Sequence, residues 1–169
     1  MAKPLQWRPA ALTDIGDIAR LSLAHLGPYA EGEEVFAERI GLAPEGCFVL
    51  IGNRGIVGYF CSHPWIRQKP PALHQMLCTI PPEADCWYVH DVAVDPSARG
   101  GGVVAEVCER AFAVAADKGF RTAMLVAVSG AGNYWAKLGF KDMTTEALRA
   151  KLKDYGDDAL YMERNLSGD

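Results

Sequence analysis

Val92-Ala93-Val94-Asp95-Pro96-Ser97-Ala98-Arg99-Gly100-Gly101-Gly102-Val103-Val104 reads as a buried strand, a turn, three glycines and the start of an amphipathic helix. A glycine run in that place leaves backbone N–H groups free at a helix N-terminus. Such an end is a ready site for an anion such as a pyrophosphate. Two common phosphate-binding patterns fit poorly. A P-loop needs Lys followed by Ser or Thr after its last glycine, and here Val103-Val104 follow Gly102. A dinucleotide fingerprint needs an acid at the end of the next strand, about twenty residues on. Gly100, Gly102 and Ala105 match its glycines loosely, but Ala123 to Val128 carries no acid at its end.

Working outward, Cys86 to Val94 is rich in β-branched and aromatic residues and predicts a strand. Val103 to Lys118 predicts a helix whose apolar face is Val104, Val107, Cys108, Ala111, Phe112 and Ala115. Gly119 ends it, and Ala123 to Val128 is a continuous apolar strand, as in a strand covered on both faces. Asn133 to Leu138 predicts a short helix with Asn133 as N-cap, Gly139 stops it, and Phe140 begins another strand. Leu160 to Arg164 is the last strand.

On the N-terminal side, Leu5 to Arg8 predicts a strand. Thr13 is the expected cap of a helix with Leu12, Ile15, Ala19, Ser22, Leu23 and Leu26 on its apolar face, stopped by Gly27-Pro28. Glu33 to Leu42 predicts a second helix, acidic on its exposed side. Cys47 to Ile51 and Ile56 to Cys61 form a hairpin across Asn53-Arg54-Gly55. His63 to Asp85 holds five prolines together with Trp65, Leu73, Met76 and Leu77, and Leu73 to Leu77 predicts a helical turn. A loop of this length inside a compact unit is usually functional. The order βααββ, loop, βαβαβ and a final strand predicts an α/β (α+β) mixed sheet flanked by helices, in one domain spanning residues 1–169.

The chain has 169 residues, half of them hydrophobic and 22% charged, with a formal net charge of −4. That balance argues against a nucleic-acid partner, which selects for a basic face. Five cysteines without C-x-x-C spacing indicate neither a disulfide framework nor a zinc site, and no metal is expected. Met1 to Pro9 lacks an apolar core and no stretch has the length of a membrane span, so neither a signal peptide nor a membrane partner is expected, and the location reads as cytoplasmic.

The segment Arg99-Gly100-Gly101-Gly102-Val103-Val104 resembles the acyl-CoA loop of the GNAT superfamily of N-acetyltransferases, [Q/R]-x-x-G-x-[G/A]. Val104 departs from it, standing where Gly or Ala is usual. A second block, Asn133-Tyr134-Trp135-Ala136-Lys137-Leu138-Gly139-Phe140, is similar to the family's later motif, in which a short helix runs into Leu-Gly-Phe. The likeness covers most of the chain, from Leu5 to the final Leu160–Arg164.

The resemblance implies a GNAT-type, mostly antiparallel sheet and transfer of acetyl from acetyl-CoA to a primary amine of a small molecule or peptide by direct attack. Backbone groups of Val92 and Val94 would pair with the pantetheine arm, and Ala93 between them counts with the cofactor-binding residues. Arg99 and the amides from Gly100, Gly101 and Gly102 to Val103 and Val104 would hold the pyrophosphate, with Asn133 and Trp135 along the arm. The family's tyrosine acid stands at the position that Trp135 occupies, and an indole is a donor only. Tyr134 or water would then supply that proton, or the thiolate would leave without assistance. For the base, His90 is the first candidate, because imidazole is a common general base, and Asp91 is second. Strand alternation puts Tyr88 and His90 on one face, Val89 and Asp91 on the other. The same strand resembles that of arylalkylamine N-acetyltransferases, with Tyr88-Val89-His90 where they carry His-x-His. His63 and His74 read as surface residues, and Trp65 and Trp87 as walls of an acceptor pocket. The family implies a possible homodimer. A non-catalytic acyl-CoA-binding module on the same fold is the alternative that Trp135 keeps open.

Overall fold

The computed structural model describes residues 4–167, so Met1–Lys3 of the Met1–Pro9 stretch and the last two residues of the expected domain lie outside it. Seven strands form one sheet in the order β1-β2-β3-β4-β5-β7-β6. They are β1 (Gln6–Pro9), β2 (Cys47–Gly52), β3 (Gly55–Trp65), β4 (Cys86–Val94), β5 (Thr122–Ala127), β6 (Lys141–Asp142) and β7 (Leu160–Asn165). All neighbours pair antiparallel except β4 with β5. A parallel pair needs a crossover, and α3 (Val103–Asp117) supplies it. The other helices are α1 (Ile15–Leu26), α2 (Glu33–Leu42), α4 (Gly132–Lys137) and α5 (Glu146–Lys151).

One face of the sheet packs on α3 and α4. Val107, Cys108, Ala111, Phe112 and Ala115 of α3 meet Trp87, Val89 and Val94 of β4 and Leu125 of β5 there. Each large apolar side chain so buried contributes about 1.5–3 kcal/mol. Trp7 closes this core, donating from Nε1 to Val103 O at 2.8 Å, which pins the first turn of α3. The opposite face packs on α1 and α2 through Ile18, Leu21, Phe36 and Ile40, and farther along through Tyr88, Met124, Tyr155 and Tyr161.

Four local expectations are corrected. Leu12 and Leu23 are 63% and 70% exposed. The buried residues of α1 are Ile18, Leu21 and the expected Ser22, with the expected Ile15 and Ala19 partly buried beside them. A 3-10 turn over Leu12–Asp14 precedes α1, and its Ala11 amide bonds to Asp14 Oδ2, so Thr13 is no cap. Leu73–Leu77 is no helical turn but a single tight bend, closed by the Gln75 amide on Ala72 O. Finally, α4 begins at Gly132 with Ala131 as cap, so Asn133 lies within the helix. The sequence reading had no counterpart for α5, which Thr145 caps by accepting from the Leu148 amide.

Candidate active site

The strands β4 and β5 pair only at Trp87–Ala123, Tyr88–Met124 and Val89–Leu125. Beyond Val89 they diverge, although β4 runs on to Val94 and β5 to Ala127. A cavity of about 760 Å³ occupies the gap and reaches both faces of the sheet. Asp95 donates its amide to Val57 O, toward β3. Backbone groups alternate sides along a strand, so those of Val92 and Val94 turn into the gap. Ala93 lines the cavity and turns its backbone toward β3. The Val94 carbonyl is already engaged, accepting from Arg99 Nε at 2.9 Å.

On the α3 face the cavity is bounded by the glycine loop. Gly100, Gly101 and Gly102 have φ of 87°, 67° and 75°. This left-handed backbone is what the glycines are needed for, since an added Cβ would meet nothing within 4 Å at any of them. Gly102 caps α3 without a side-chain bond, which leaves the first-turn amides directed outward. Gly100, Gly102, Val103, Val104 and Arg99 line the cavity, whereas Gly101 does not. Trp135 and Tyr134 also line it; Trp135 is buried, packed edge-on against Phe140 and Tyr134, while Tyr134 is 45% exposed. Asn133 is exposed and outside the cavity lining.

On the other face, a β-bulge decides which side chains of β4 come together. Cys61 pairs with Asp91, but Ser62 pairs with Val89, so His90 is an extra residue on β4. An extra residue shifts side-chain alternation by one. His90 and Asp91 therefore share the α1/α2 face, contrary to the simple alternation. Bulges are frequent beside active sites.

His90 Nε2 lies 2.6 Å from Glu31 Oε1, as a close contact rather than a well-aligned hydrogen bond, and both side chains are 3% exposed or less. His90 Nδ1 is buried without a hydrogen-bond partner among the described residues. Glu31 also accepts from the His74 amide at its Oε2. Burial pushes its carboxyl up, but the neighbouring His90, then the His74 amide, pull it below the usual carboxylate range. Asp91 accepts from Tyr59 OH at 2.6 Å. Burial raises its pKa to about 6, against the opposing effects of His90 and Tyr59.

His63 is no surface residue; it is fully buried in β3, with its ring 6.0 Å from that of His90. Its Nδ1 faces Pro64 O at 2.8 Å, which requires the proton on that nitrogen. Burial above all, then His90, lowers its pKa to about 3, so it is neutral. His74 is exposed, as expected. Trp65 and Trp87 are not walls of the cavity: their indoles bond to Lys69 O and Ser62 Oγ inside the cores. The apolar wall on this face comes from Tyr29, Leu73 and Tyr155. Glu31 and Tyr155 were missed because each lies far from β4 in sequence, and neither carries a local motif. Among the described residues no group of three or more His, Cys, Asp or Glu is placed to hold a metal, and no helix is long and apolar enough to cross a membrane.

Comparison with solved structures gives the same architecture. The GphF GNAT-like decarboxylase in complex with isobutyryl-CoA matches with a TM-score of 0.76 at 16% identity, over 95% of this chain and 99% of that one. The loading GNATL domain of CurA from Lyngbya majuscula matches with a TM-score of 0.80 at 14% identity, over 99% and 100%. N-acetylglutamate synthase from Neisseria gonorrhoeae, complexed with coenzyme A and N-acetyl-glutamate, matches with a TM-score of 0.70 at 20% identity, over 97% of this chain and 35% of that one. A search of curated proteins gave no match. The family model for the acetyltransferase (GNAT) family matches residues 14–140, a span that runs from α1 through the glycine loop to Phe140 and takes in both faces of the cavity. By that match, the chain belongs to the acetyltransferase (GNAT) family.

Proposed function

We propose that this protein transfers an acyl group from acyl-CoA, with acetyl-CoA as the expected donor, to a primary amine. The carrying observation is that the β4–β5 gap joins the glycine-capped start of α3 on one face to the buried Glu31–His90 pair on the other. A solved relative in fold is described with isobutyryl-CoA and another with coenzyme A, which supports the donor class.

Amides from Gly100 to Val104 and the Arg99 guanidinium are the groups for the pyrophosphate. The free edge of β4 at Val92 and Val94 suits the amide-bearing pantetheine arm, as an added strand would. Trp135 packs alongside. Asn133, exposed on α4, is proposed only for the outer part of the arm. Acyl-CoA supplies an activated thioester.

The acceptor arrives as an ammonium ion and must lose a proton to become a nucleophile. With Glu31 at Nε2, His90 keeps Nδ1 as the proton acceptor. Glu31 is then a positioning residue that holds the ring and balances the imidazolium. Asp91, whose pKa of about 6 leaves it ionised near neutrality, is the second candidate base. The new N–C bond forms as the C–S bond breaks, and the sulfur leaves as thiolate. Tyr134 at the cavity mouth is the proposed donor to that sulfur.

Following free thiol with acetyl-CoA and a set of amines tests this. Amine-dependent release in the wild type, lost in His90→Ala with acetyl-CoA affinity unchanged, is the expected result. Unchanged turnover in His90→Ala removes the base assignment. Trp135 in the place of the family's tyrosine favours a second reading, an acyl-CoA-binding module without turnover; tight binding with no amine-dependent thiol release would establish it.

A further inference from the structure

The two faces of the cavity differ in charge. The cationic side chains that line it, Arg99 and Lys137, belong to the loop before α3 and to α4. On the α1/α2 face the charged lining is Glu31 and Asp91, with His90 between them and His25 turned 3.7 Å from Asp95. Arg39 is buried behind Glu31, but it is occupied by Glu38 at 2.6 Å and Gln75 O at 2.8 Å and does not line the cavity. Among the described residues this face therefore offers no lysine or arginine to a carboxylate. Its remaining walls are apolar or aromatic: Tyr29, Leu73, Tyr155, Val126 and Val128.

The same face is roofed. Leu73 lines the cavity from the proline-rich segment, and that segment is tied down on both sides of it. Pro71 O accepts from Tyr155 OH at 2.9 Å. The His74 amide bonds Glu31, and those of Leu77 and Cys78 bond Glu38 at 2.6 and 2.9 Å. Lifting the roof would strip partners from Glu31, Glu38 and the wholly buried Arg39, and unpaired buried charges are strongly disfavoured. An extended peptide needs an open trough, and a fixed roof suits a compact molecule.

From this charge distribution and this roof we infer that the acceptor is a small primary amine with an apolar or aromatic body and no carboxylate. The inference rests on the acyl-transfer reading above and names the acceptor for that same site. The ammonium group faces Glu31, Asp91 and His90, and the body packs on Tyr29, Leu73 and Tyr155.

The test is a matched set of acceptors with acetyl-CoA: phenethylamine, phenylalanine and a short peptide that begins with phenylalanine. They share one body and differ in what the α-carbon carries. Phenethylamine should have the highest kcat/KM, on the order of 100-fold above phenylalanine, since like charges set together cost several kcal/mol. The peptide should be the poorest. Leu73→Ala should raise KM for phenethylamine about tenfold, the cost of the lost apolar contact, with acetyl-CoA affinity unchanged. Equal or greater kcat/KM for phenylalanine or the peptide overturns the inference while leaving acyl transfer standing, and an unchanged phenethylamine KM in Leu73→Ala also overturns it. Acetyl-CoA binding without thiol release for any acceptor overturns acyl transfer, and the inference falls with it.

Discussion

The Glu31 carboxylate and the His90 imidazole meet at 2.6 Å across the interface between the α1–α2 connection and the bulge of β4. Both side chains are buried, so little solvent screens the pair. Glu31→Gln keeps the shape and removes the charge. We expect kcat to fall on the order of 100-fold, with KM for acetyl-CoA unchanged, and Glu31→Asp to restore part of the rate. A steady-state pH profile checks it: a positioning role changes the acid limb of kcat/KM, whereas a purely structural role lowers the whole profile without changing its shape.

The Glu31 carboxyl is held below its ordinary value in the fold. A depressed carboxylate contributes stability that is present above its unfolded pKa and is lost as pH falls through the folded one. Denaturant melts should thus show wild-type stability declining below about pH 4.5. The decline should be shallower in Glu31→Gln.

Asp91 has the opposite sign. Its pKa is raised from 3.8 to about 6 by burial. Its ionisation therefore costs stability progressively as pH rises from 3.8 to about 6, and the cost stays constant above that. Asp91→Asn keeps an acceptor for Tyr59 OH. It should gain on the order of 1–3 kcal/mol at pH 8 and nothing near pH 4. Thermal melts at the two pH values check this, and a gain of equal size at both would contradict the assignment.

Gly101 has φ of 67° and open space around its missing Cβ. Gly101→Ala should cost about 1–2 kcal/mol of stability through backbone strain. If the loop holds the pyrophosphate, the same substitution should weaken CoA binding by titration calorimetry. Its effect on dephosphorylated pantetheine should be small.

Tyr134 and Trp135 separate in the same way. Trp135 is a packed core residue, and Tyr134 is its half-exposed neighbour at the cavity. Tyr134→Phe should lower kcat roughly 10–100-fold if its hydroxyl protonates the leaving sulfur, with little change in thermal stability. Trp135→Phe should lower stability and raise KM for acetyl-CoA. The reverse pattern would move the donor role away from Tyr134.

The strand, glycine loop and helix from Cys86 to Lys118 were legible because their signals are local: β-branched residues, a glycine run and one apolar helical face. The part of the cavity that the glycine loop lines came with them. The face shared by His90 and Asp91 was not legible. It depends on one inserted residue relative to β3, and alternation in β4 alone carries no sign of the partner's register. Glu31 was hidden for a similar reason. Its role comes from the path of the chain between α1 and α2, where nothing local distinguishes it from a solvated acid. The proline-rich stretch was flagged by length and composition, but its anchoring depends on Glu38 and Arg39, which helical periodicity in α2 would place simply as a charged pair.

The central claim is that the gap beyond Val89 and Leu125 passes an acyl group from a donor on the α3 face to an amine on the other. A single-turnover reaction, with enzyme in excess over acetyl-CoA and read by the mass of the amine product together with free thiol, tests it most directly. Acyl transfer predicts one N-acetylated amine per thiol released and no release without amine. Thiol release that is independent of amine, or bound acetyl-CoA recovered intact with amine present, would contradict it.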